Sequence, residues 1–285
     1  MHRIRSCALL VIFLVGLAAC SAAATPTSSA PSSAPPSVAP GDAAGSAAAP
    51  ASLTIYAAAS LKGALDKAKA AWETAHPGSK LTLATDSSAA LETQIEQGAP
   101  ADVFLSADTT NPKKLVDHGL ATGAAISFAG NKLTVIVPAA NPAGIKTPAD
   151  LAKKDVKVIA AGDAVPITKY ATQLVADLAG DSGYPSDFAA AYTANIASRE
   201  DDVRAVVAKI ELGEGDAAIV YVTDAMASTK VVPIDVPATA NVPATYAGIV
   251  VKASPNASSA QAFLDWFAGS EGQAILAGFG FLPPP

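Results

Sequence analysis

The chain has 285 residues and a formal net charge of −6 at pH 7, from 25 acidic and 19 basic side chains. An acidic chain without basic runs lacks the electrostatic footprint of a nucleic-acid-binding protein. The same charge means that long-range attraction does not concentrate an anionic ligand near the protein. An anion site in this chain would therefore have to work through local hydrogen bonds and dipoles.

The first nineteen residues have the pattern of a secretory signal. Arg3 and Arg5 supply a basic end, and the apolar stretch 8–17 is too short to span a membrane as a mature helix. The segment ends in Leu-Ala-Ala-Cys20, which resembles the lipobox of bacterial lipoproteins; an ordinary Ala-x-Ala cleavage site nearby is the alternative. We expect residues 1–19 to be removed and Cys20 to carry the lipid that anchors the exported chain to the outer face of the cell membrane.

Cysteine and histidine usage argues against metal chemistry. Cys7 leaves with the signal, so Cys20 would be the only cysteine of the mature chain, which excludes an internal disulfide and a thiol cluster for zinc. His2 also leaves, and His76 and His118 lie near predicted helix ends without a metal-ligand spacing. The sequence contains neither a phosphate-binding loop nor a Gly-x-Ser-x-Gly elbow. We expect no resident cofactor.

A low-complexity segment separates the signal from the rest of the chain. Residues 20–51 start with the lipidated cysteine and continue almost entirely as Ala, Ser, Pro, Thr and Gly with a single acid, Asp42. Such a composition cannot bury enough apolar surface to fold. We predict a disordered tether with a reach on the order of 30 Å.

From residue 53 onward, strands alternate with helices. The pattern predicts strands at 53–58, 81–84, 102–106, 132–138, 156–160, 217–222, 231–234 and 246–251. It predicts helices at 61–75, 89–97, 148–153, 168–178, 185–191, 203–212, 259–268 and 271–277, with short helices after Pro112 and near Asp224. This alternation indicates an α/β protein of two lobes, each a mostly parallel sheet flanked by helices.

Four strand-like stretches run through a short turn into a helical pattern. They are residues 53–60, 81–88 and 158–166, and the approach to Asp201-Asp-Val-Arg204. Each exit presents free backbone N–H groups and the positive end of a helix dipole. Ligands of such sheets bind beyond the carboxyl ends of the strands. If the four exits meet, they form a cage of neutral donors for a small anion.

Several motifs then resemble one family. They are Tyr56-Ala-Ala-Ala-Ser-Leu61, Gln94-Ile-Glu-Gln-Gly-Ala-Pro-Ala-Asp102 with Ser106-Ala-Asp108, Asp202-Val-Arg204, Ala218-Ile-Val-Tyr221 with Asp224-Ala225, Phe263-Leu-Asp-Trp-Phe and Gly278-Phe-Gly-Phe281. In this order, over residues 53–282, they are similar to the molybdate-binding protein of the bacterial ABC molybdate importer. The resemblance implies a type II periplasmic-binding-protein fold, with one lobe of residues 52–131 plus 246–285 and a second of residues 132–245.

The resemblance also implies a ligand set. In that family two serines, backbone amides and one tyrosine hold a tetrahedral oxyanion, so that molybdenum is bound only as the oxyanion. Carried over position by position, the donors are the hydroxyls of Ser60 and Ser88, the amides of Ile167 and Val203, and the hydroxyl of Tyr221. Taken alone, each has an ordinary interpretation as a helix cap or a core residue. Their coincidence at the expected turns favours binding.

Two features near this set stay open. Ser87 is an alternative to Ser88 as the donor. Asp86 stands where a small neutral residue is more usual, and we expect its carboxylate to point away from the site or to cap a helix. The cations beside the ligand turns are expected to be solvated helix residues; they are Lys62, Lys169 and Arg204.

The expected function is capture of molybdate or tungstate between the lobes by a monomer that delivers it to a membrane permease of an ABC importer. A donor-only site disfavours hydrogen phosphate, whose proton would lack an acceptor, and sulfate is smaller. A receptor for another oxyanion such as sulfate is the first alternative. An enzyme on the same scaffold is the second, although no nucleophile–base pair or cofactor lysine motif supports it.

Overall fold

The computed structural model describes residues 50–285. The predicted signal 1–19, the lipidated Cys20 and all but the last two residues of the predicted tether 20–51 lie outside the described residues.

The strands of the described part form two five-stranded sheets. The first sheet contains β1 (Ser52–Ala58), β2 (Lys80–Asp86), β3 (Val103–Ser106), β4 (Ala121–Asn131) and β10 (Ala244–Val251). The second contains β5 (Leu133–Pro138), β6 (Val158–Ala161), β7 (Ile196–Glu200), β8 (Ala217–Tyr221) and β9 (Val231–Ile234). The spatial orders are β2-β1-β3-β10-β4 and β7-β6-β8-β5-β9.

Helices flank both sheets. They are α1 (Lys62–Ala75), α2 (Ser88–Glu96), α3 (Thr110–Asp117), α4 (Pro166–Ala179), α5 (Phe188–Ala194), α6 (Val203–Glu211), α7 (Val222–Met226), α8 (Ala257–Ala268) and α9 (Ser270–Gly278), with 3-10 helices at Ala59–Leu61 and Pro148–Ala152. The second 3-10 helix lies where the sequence predicts an ordinary helix. Within residues 50–285, none of these helices has both the length and the apolar character that crossing a membrane requires.

The two sheets repeat one pattern of pairing. In the first, β1 runs parallel to β2 and β3, whereas β10 runs antiparallel to β3 and β4. In the second, β6 runs parallel to β7 and β8, whereas β5 runs antiparallel to β8 and β9. The α/β class is confirmed, and each sheet is mixed. The parallel strands bring their carboxyl ends to one edge of each sheet.

The chain passes between the sheets at two places. β4 ends at Asn131 and β5 begins at Leu133, so Lys132 lies at the first passage. The return lies between Ile234, which ends β9, and Ala244, which begins β10.

One strand, β4, is missing from the sequence prediction, and β7 was indicated only as the strand-like approach to Asp201. Both are edge strands. β4 has the sequence Ala-Thr-Gly-Ala-Ala-Ile-Ser-Phe-Ala-Gly-Asn and is largely exposed over its first half, while every residue of β7 is at least partly exposed. An edge strand needs no continuous apolar run, because it is covered less completely than a central strand.

The core fixes the strand ends that carry the site. Leu61, Leu65, Ala68 and Trp72 form the apolar stripe predicted for α1, and all four are buried. The Trp72 ring packs edge-on against Phe263 of α8, with ring centroids 5.3 Å apart. Burial of this stripe holds α1 against the first sheet and thereby fixes the 3-10 turn that precedes it.

Candidate ligand-binding site

The five predicted donors, which come from both lobes, line one small cavity. They are Ser60, Ser88, Ile167, Val203 and Tyr221. The space between the lining atoms is about 220 Å³, part of it open to solvent. The first two follow β1 and β2 of the first sheet, and the others follow β6 and β7 or end β8 of the second. The cavity therefore lies between the lobes, beyond the carboxyl ends of their strands.

Three helices begin at this cavity. α2 starts at Ser88, α4 at Pro166 and α6 at Val203. First-turn N–H groups have no acceptor inside their own helix. Because Pro166 carries no N–H, Ile167 supplies the first amide of α4.

The start of α6 is capped in a way that selects one amide. The carboxylate of Asp202 accepts hydrogen bonds from the N–H groups of Arg204 at 2.7 Å and Ala205 at 3.0 Å. Val203 precedes these two residues and has the first N–H of the helix. The cap thus engages the next two amides, and the Val203 amide is the one left for a ligand in the cavity.

Ser60 belongs to a chain of side-chain hydrogen bonds. Its Oγ lies 2.9 Å from the hydroxyl of Tyr246, which also accepts from Nδ2 of Asn131 at 3.4 Å. Asn131 Nδ2 also donates to Oγ1 of Thr223 at 2.9 Å, which links the two lobes. When Tyr246 donates to Ser60, the Ser60 proton is free for a ligand. In the sequence Asn131 and Tyr246 mark only the predicted lobe boundaries, and no local pattern indicates that they support Ser60.

The adjacent serines Ser87 and Ser88 have different roles. Ser87 is the N-cap of α2, and its side chain accepts from the N–H of Ala90 at 3.2 Å. The Oγ of Ser88 accepts from the N–H of Ala107 at 3.0 Å, which orients the hydroxyl and leaves its proton available. Both line the cavity, but the cap already ties Ser87 to its own helix.

Tyr221 is buried, with a relative exposure of 1%. Within the described part of the chain its hydroxyl has no hydrogen-bond partner. Its ring packs near Tyr246 and Tyr170, with centroid distances of 5.7 and 6.3 Å. Burial raises the pKa of the Tyr221 hydroxyl well above its usual value, so the group stays protonated and can only be a neutral donor or acceptor. Such an unpartnered hydroxyl costs about 1–3 kcal/mol unless a ligand uses it.

A buried acid lies behind Tyr221. The carboxyl of Asp224 accepts from the backbone N–H of Tyr221 at 3.3 Å. Burial raises the pKa of Asp224 to about 7, so near neutral pH it carries only part of a negative charge. Asp224 therefore repels an anion near Tyr221 less than a fully ionised, exposed aspartate would.

The cations near the site do not line the cavity. Among the described residues that line it, none is Lys or Arg. Lys62 pairs with Asp66 at 2.7 Å. The Nζ of Lys169 donates to Oγ1 of Thr110 at 3.3 Å, across from the second lobe to the first. Asp86 does line the cavity, and its Oδ1 accepts from the N–H of Ser87 at 2.7 Å.

The arrangement suits a small anion held by neutral donors. Among residues 50–285, no group of three or more His, Cys, Asp or Glu side chains is arranged to hold a metal ion. Two α/β lobes with a cavity between them are the architecture of two-lobe solute-binding proteins.

Comparison with known proteins agrees with this class. Residues 53–282 match the family of bacterial extracellular solute-binding proteins, and the chain belongs to that family. It is 33% identical over 234 residues to the molybdate-binding protein ModA of Mycobacterium tuberculosis, covering 82% of this chain and 85% of that protein. It is 30% identical over 232 residues to the ABC transporter substrate-binding lipoprotein YvgL of Bacillus subtilis, covering 81% and 86%.

A solved structure supports the fold. The sulfate-binding protein SubI of M. tuberculosis matches with a TM-score of 0.72 at 22% identity, over 82% of this chain and 87% of that one. The predicted two-lobe fold and the family resemblance are thus confirmed. The relatives are substrate-binding transport proteins, which confirms the expectation of a protein that is not an enzyme. The chain is thus a bacterial extracellular solute-binding protein.

Proposed function

We propose that the protein captures molybdate in the interlobe cavity, with tungstate as an equivalent ligand, and delivers it to an ABC permease. The observation that carries the proposal is the set of neutral donors that line one cavity: Ser60, Ser88, Ile167, Val203 and Tyr221. The identity of 33% to a ModA protein supports the choice of ligand.

The donor set explains how a dianion can bind without a counter-ion. Molybdate has four oxygens and no proton, so hydroxyls and amides can all donate to it. Each charge-assisted hydrogen bond contributes roughly 1.5–3 kcal/mol, and each helix start adds about 0.3–2 kcal/mol. Dehydration of the ion opposes these gains. Net affinity therefore requires donors that are fixed beforehand, as the Ala107 amide fixes Ser88.

Binding is coupled to closure of the lobes. We take the first lobe as residues 52–131 plus 246–285 and the second as 132–245. Because the ligand contacts both, it stabilises the closed arrangement through contacts that an open cleft lacks. The bond from Lys169 to Thr110 belongs to that arrangement.

The N-terminal segment connects this binding to the membrane. In our proposal residues 1–19 are removed, Cys20 is lipidated and residues 21–51 tether a monomer near its permease. The likeness to YvgL, which is named a lipoprotein, supports the anchor.

A titration of four oxyanions tests the proposed ligand. The protein would be the mature chain from residue 20 with Cys20→Ser, so that it stays unlipidated. Calorimetry should give one site per chain, comparable affinities for molybdate and tungstate, weaker binding of sulfate and no measurable binding of phosphate. Sulfate is the second candidate ligand, because the sulfate-binding protein SubI shares the fold. Tighter binding of sulfate than of molybdate would refute the assignment.

A further inference from the structure

The cavity opens into a groove between the lobes that is rich in acids. The charged residues lining this groove are Asp86, Asp163, Arg199, Glu200, Asp201 and Asp202. Two of the acids are neutralised by ion pairs: Arg199 Nη1 lies 3.0 Å from Asp163 Oδ1, and Lys209 Nζ lies 3.0 Å from Glu200 Oε1. Asp201 is exposed.

Asp86 and Asp202 differ from the other acids because they line the inner cavity as well as the groove. Asp86 ends β2 in the first lobe, and Asp202 precedes α6 in the second. Each carboxylate accepts backbone N–H bonds at a helix start, Asp86 from Ser87 and Asp202 from Arg204 and Ala205. Two of the three helix starts at the cavity, those of α2 and α6, therefore already have a carboxylate beside them.

Asp86 from the first lobe and Asp202 from the second therefore line the same small cavity. Like charges that line one partly buried site repel each other, because the effective dielectric there is lower than that of water. We propose that Asp86 and Asp202 form a carboxylate pair that opposes lobe closure and so limits the affinity of the anion site. The proposal rests on the proposed function, since the pair acts on the closure that anion binding drives.

A double-mutant cycle tests the pair directly. Asp86→Asn, Asp202→Asn and the double variant remove the charges, while Asn retains an oxygen that accepts N–H bonds and caps helices well. Each single variant should bind the anion about tenfold more tightly, by calorimetry at low ionic strength. Because either change abolishes the repulsion, the double variant should gain clearly less than the product of the two single effects. Independent effects, or single variants that do not tighten binding, would overturn the proposal.

Salt and a control variant locate the effect. Screening shortens the range of repulsion from about 10 Å at 0.1 M salt to about 3 Å at 1 M, so the advantage of Asp86→Asn over the wild type should shrink as salt rises. Asp201→Asn removes a groove charge that does not line the cavity, and should change affinity less than twofold. An equal gain from Asp201→Asn would assign the effect to the whole groove and contradict the pair.

The choice of ligand keeps the two proposals separable. The cycle is run with whichever of molybdate, tungstate, sulfate and phosphate binds the wild type most tightly. If that ion is sulfate, the proposed ligand is wrong, but the cycle still decides whether the two carboxylates are coupled. If molybdate binds and the cycle is additive, only the carboxylate pair is refuted.

Discussion

Tyr221→Phe should weaken molybdate binding by about 10- to 100-fold and leave the ligand-free protein as stable as the wild type or more stable. The Tyr221 hydroxyl is buried without a partner in the described chain, so its removal relieves a cost in the empty protein. In the complex the same change removes a hydrogen bond to an ion, worth roughly 1.5–3 kcal/mol. Affinity and stability are thus expected to move in opposite directions.

Tyr170→Phe is the matched control for this prediction. Tyr170 is a neighbouring tyrosine that does not line the cavity, and its hydroxyl accepts from the N–H of Thr245 at 3.4 Å. The control should leave affinity within a few-fold of the wild type and should lower stability slightly, because the Thr245 amide loses its acceptor. Calorimetry and thermal unfolding measure the two quantities. An unchanged affinity in Tyr221→Phe would remove Tyr221 from the ligand set.

Val203→Pro should also weaken molybdate binding, by about 10- to 100-fold, because it deletes a single backbone donor. Val203 is the first residue of α6, a position where helices tolerate proline. The preceding Asp202 has φ −148° and ψ 171°, an extended conformation that suits a residue before proline. The helix is therefore expected to form without the Val203 N–H.

Val203→Ala separates the amide from the side chain. Val203 is buried, so both substitutions lose apolar contacts and should lower the free energy of unfolding by about 1–3 kcal/mol. Only the proline variant lacks the N–H. Circular dichroism checks that both variants keep their helix content, and calorimetry gives the affinities. Equal affinities of the proline and alanine variants would show that the Val203 amide is not a ligand.

The turns that line the cavity can be recognised in the sequence because their signals are local. A strand-like stretch followed by a serine or an Asp-Val-Arg turn and then a helix can be recognised within ten residues. Ser60, Ser88 and Val203 are of this kind. Their convergence on one cavity does not follow from local pattern, and was expected only through the family resemblance.

What the sequence did not reveal depends on long-range contacts. The bond between Ser60 and Tyr246 joins residues 186 positions apart, and that between Asn131 and Tyr246 joins residues 115 apart. No spacing in the sequence predicts contacts between residues so far apart. Asp202 belongs to a motif that the sequence shows, but the cavity that it lines together with Asp86 requires both lobes. The edge strand β4 was missed, and β7 was indicated without bounds, because their exposure removes the apolar run that marks a strand.

The central claim is that neutral donors from both lobes enclose one oxyanion, and the position of molybdenum in a crystal of the complex tests it most directly. Crystals of the mature chain grown with molybdate would be measured at an X-ray energy where molybdenum scatters anomalously. One anomalous peak per chain is expected within the cavity, with oxygens in hydrogen-bonding range of Ser60, Ser88, Ile167, Val203 and Tyr221. A fully occupied peak elsewhere on the protein, with this cavity empty, would contradict the account.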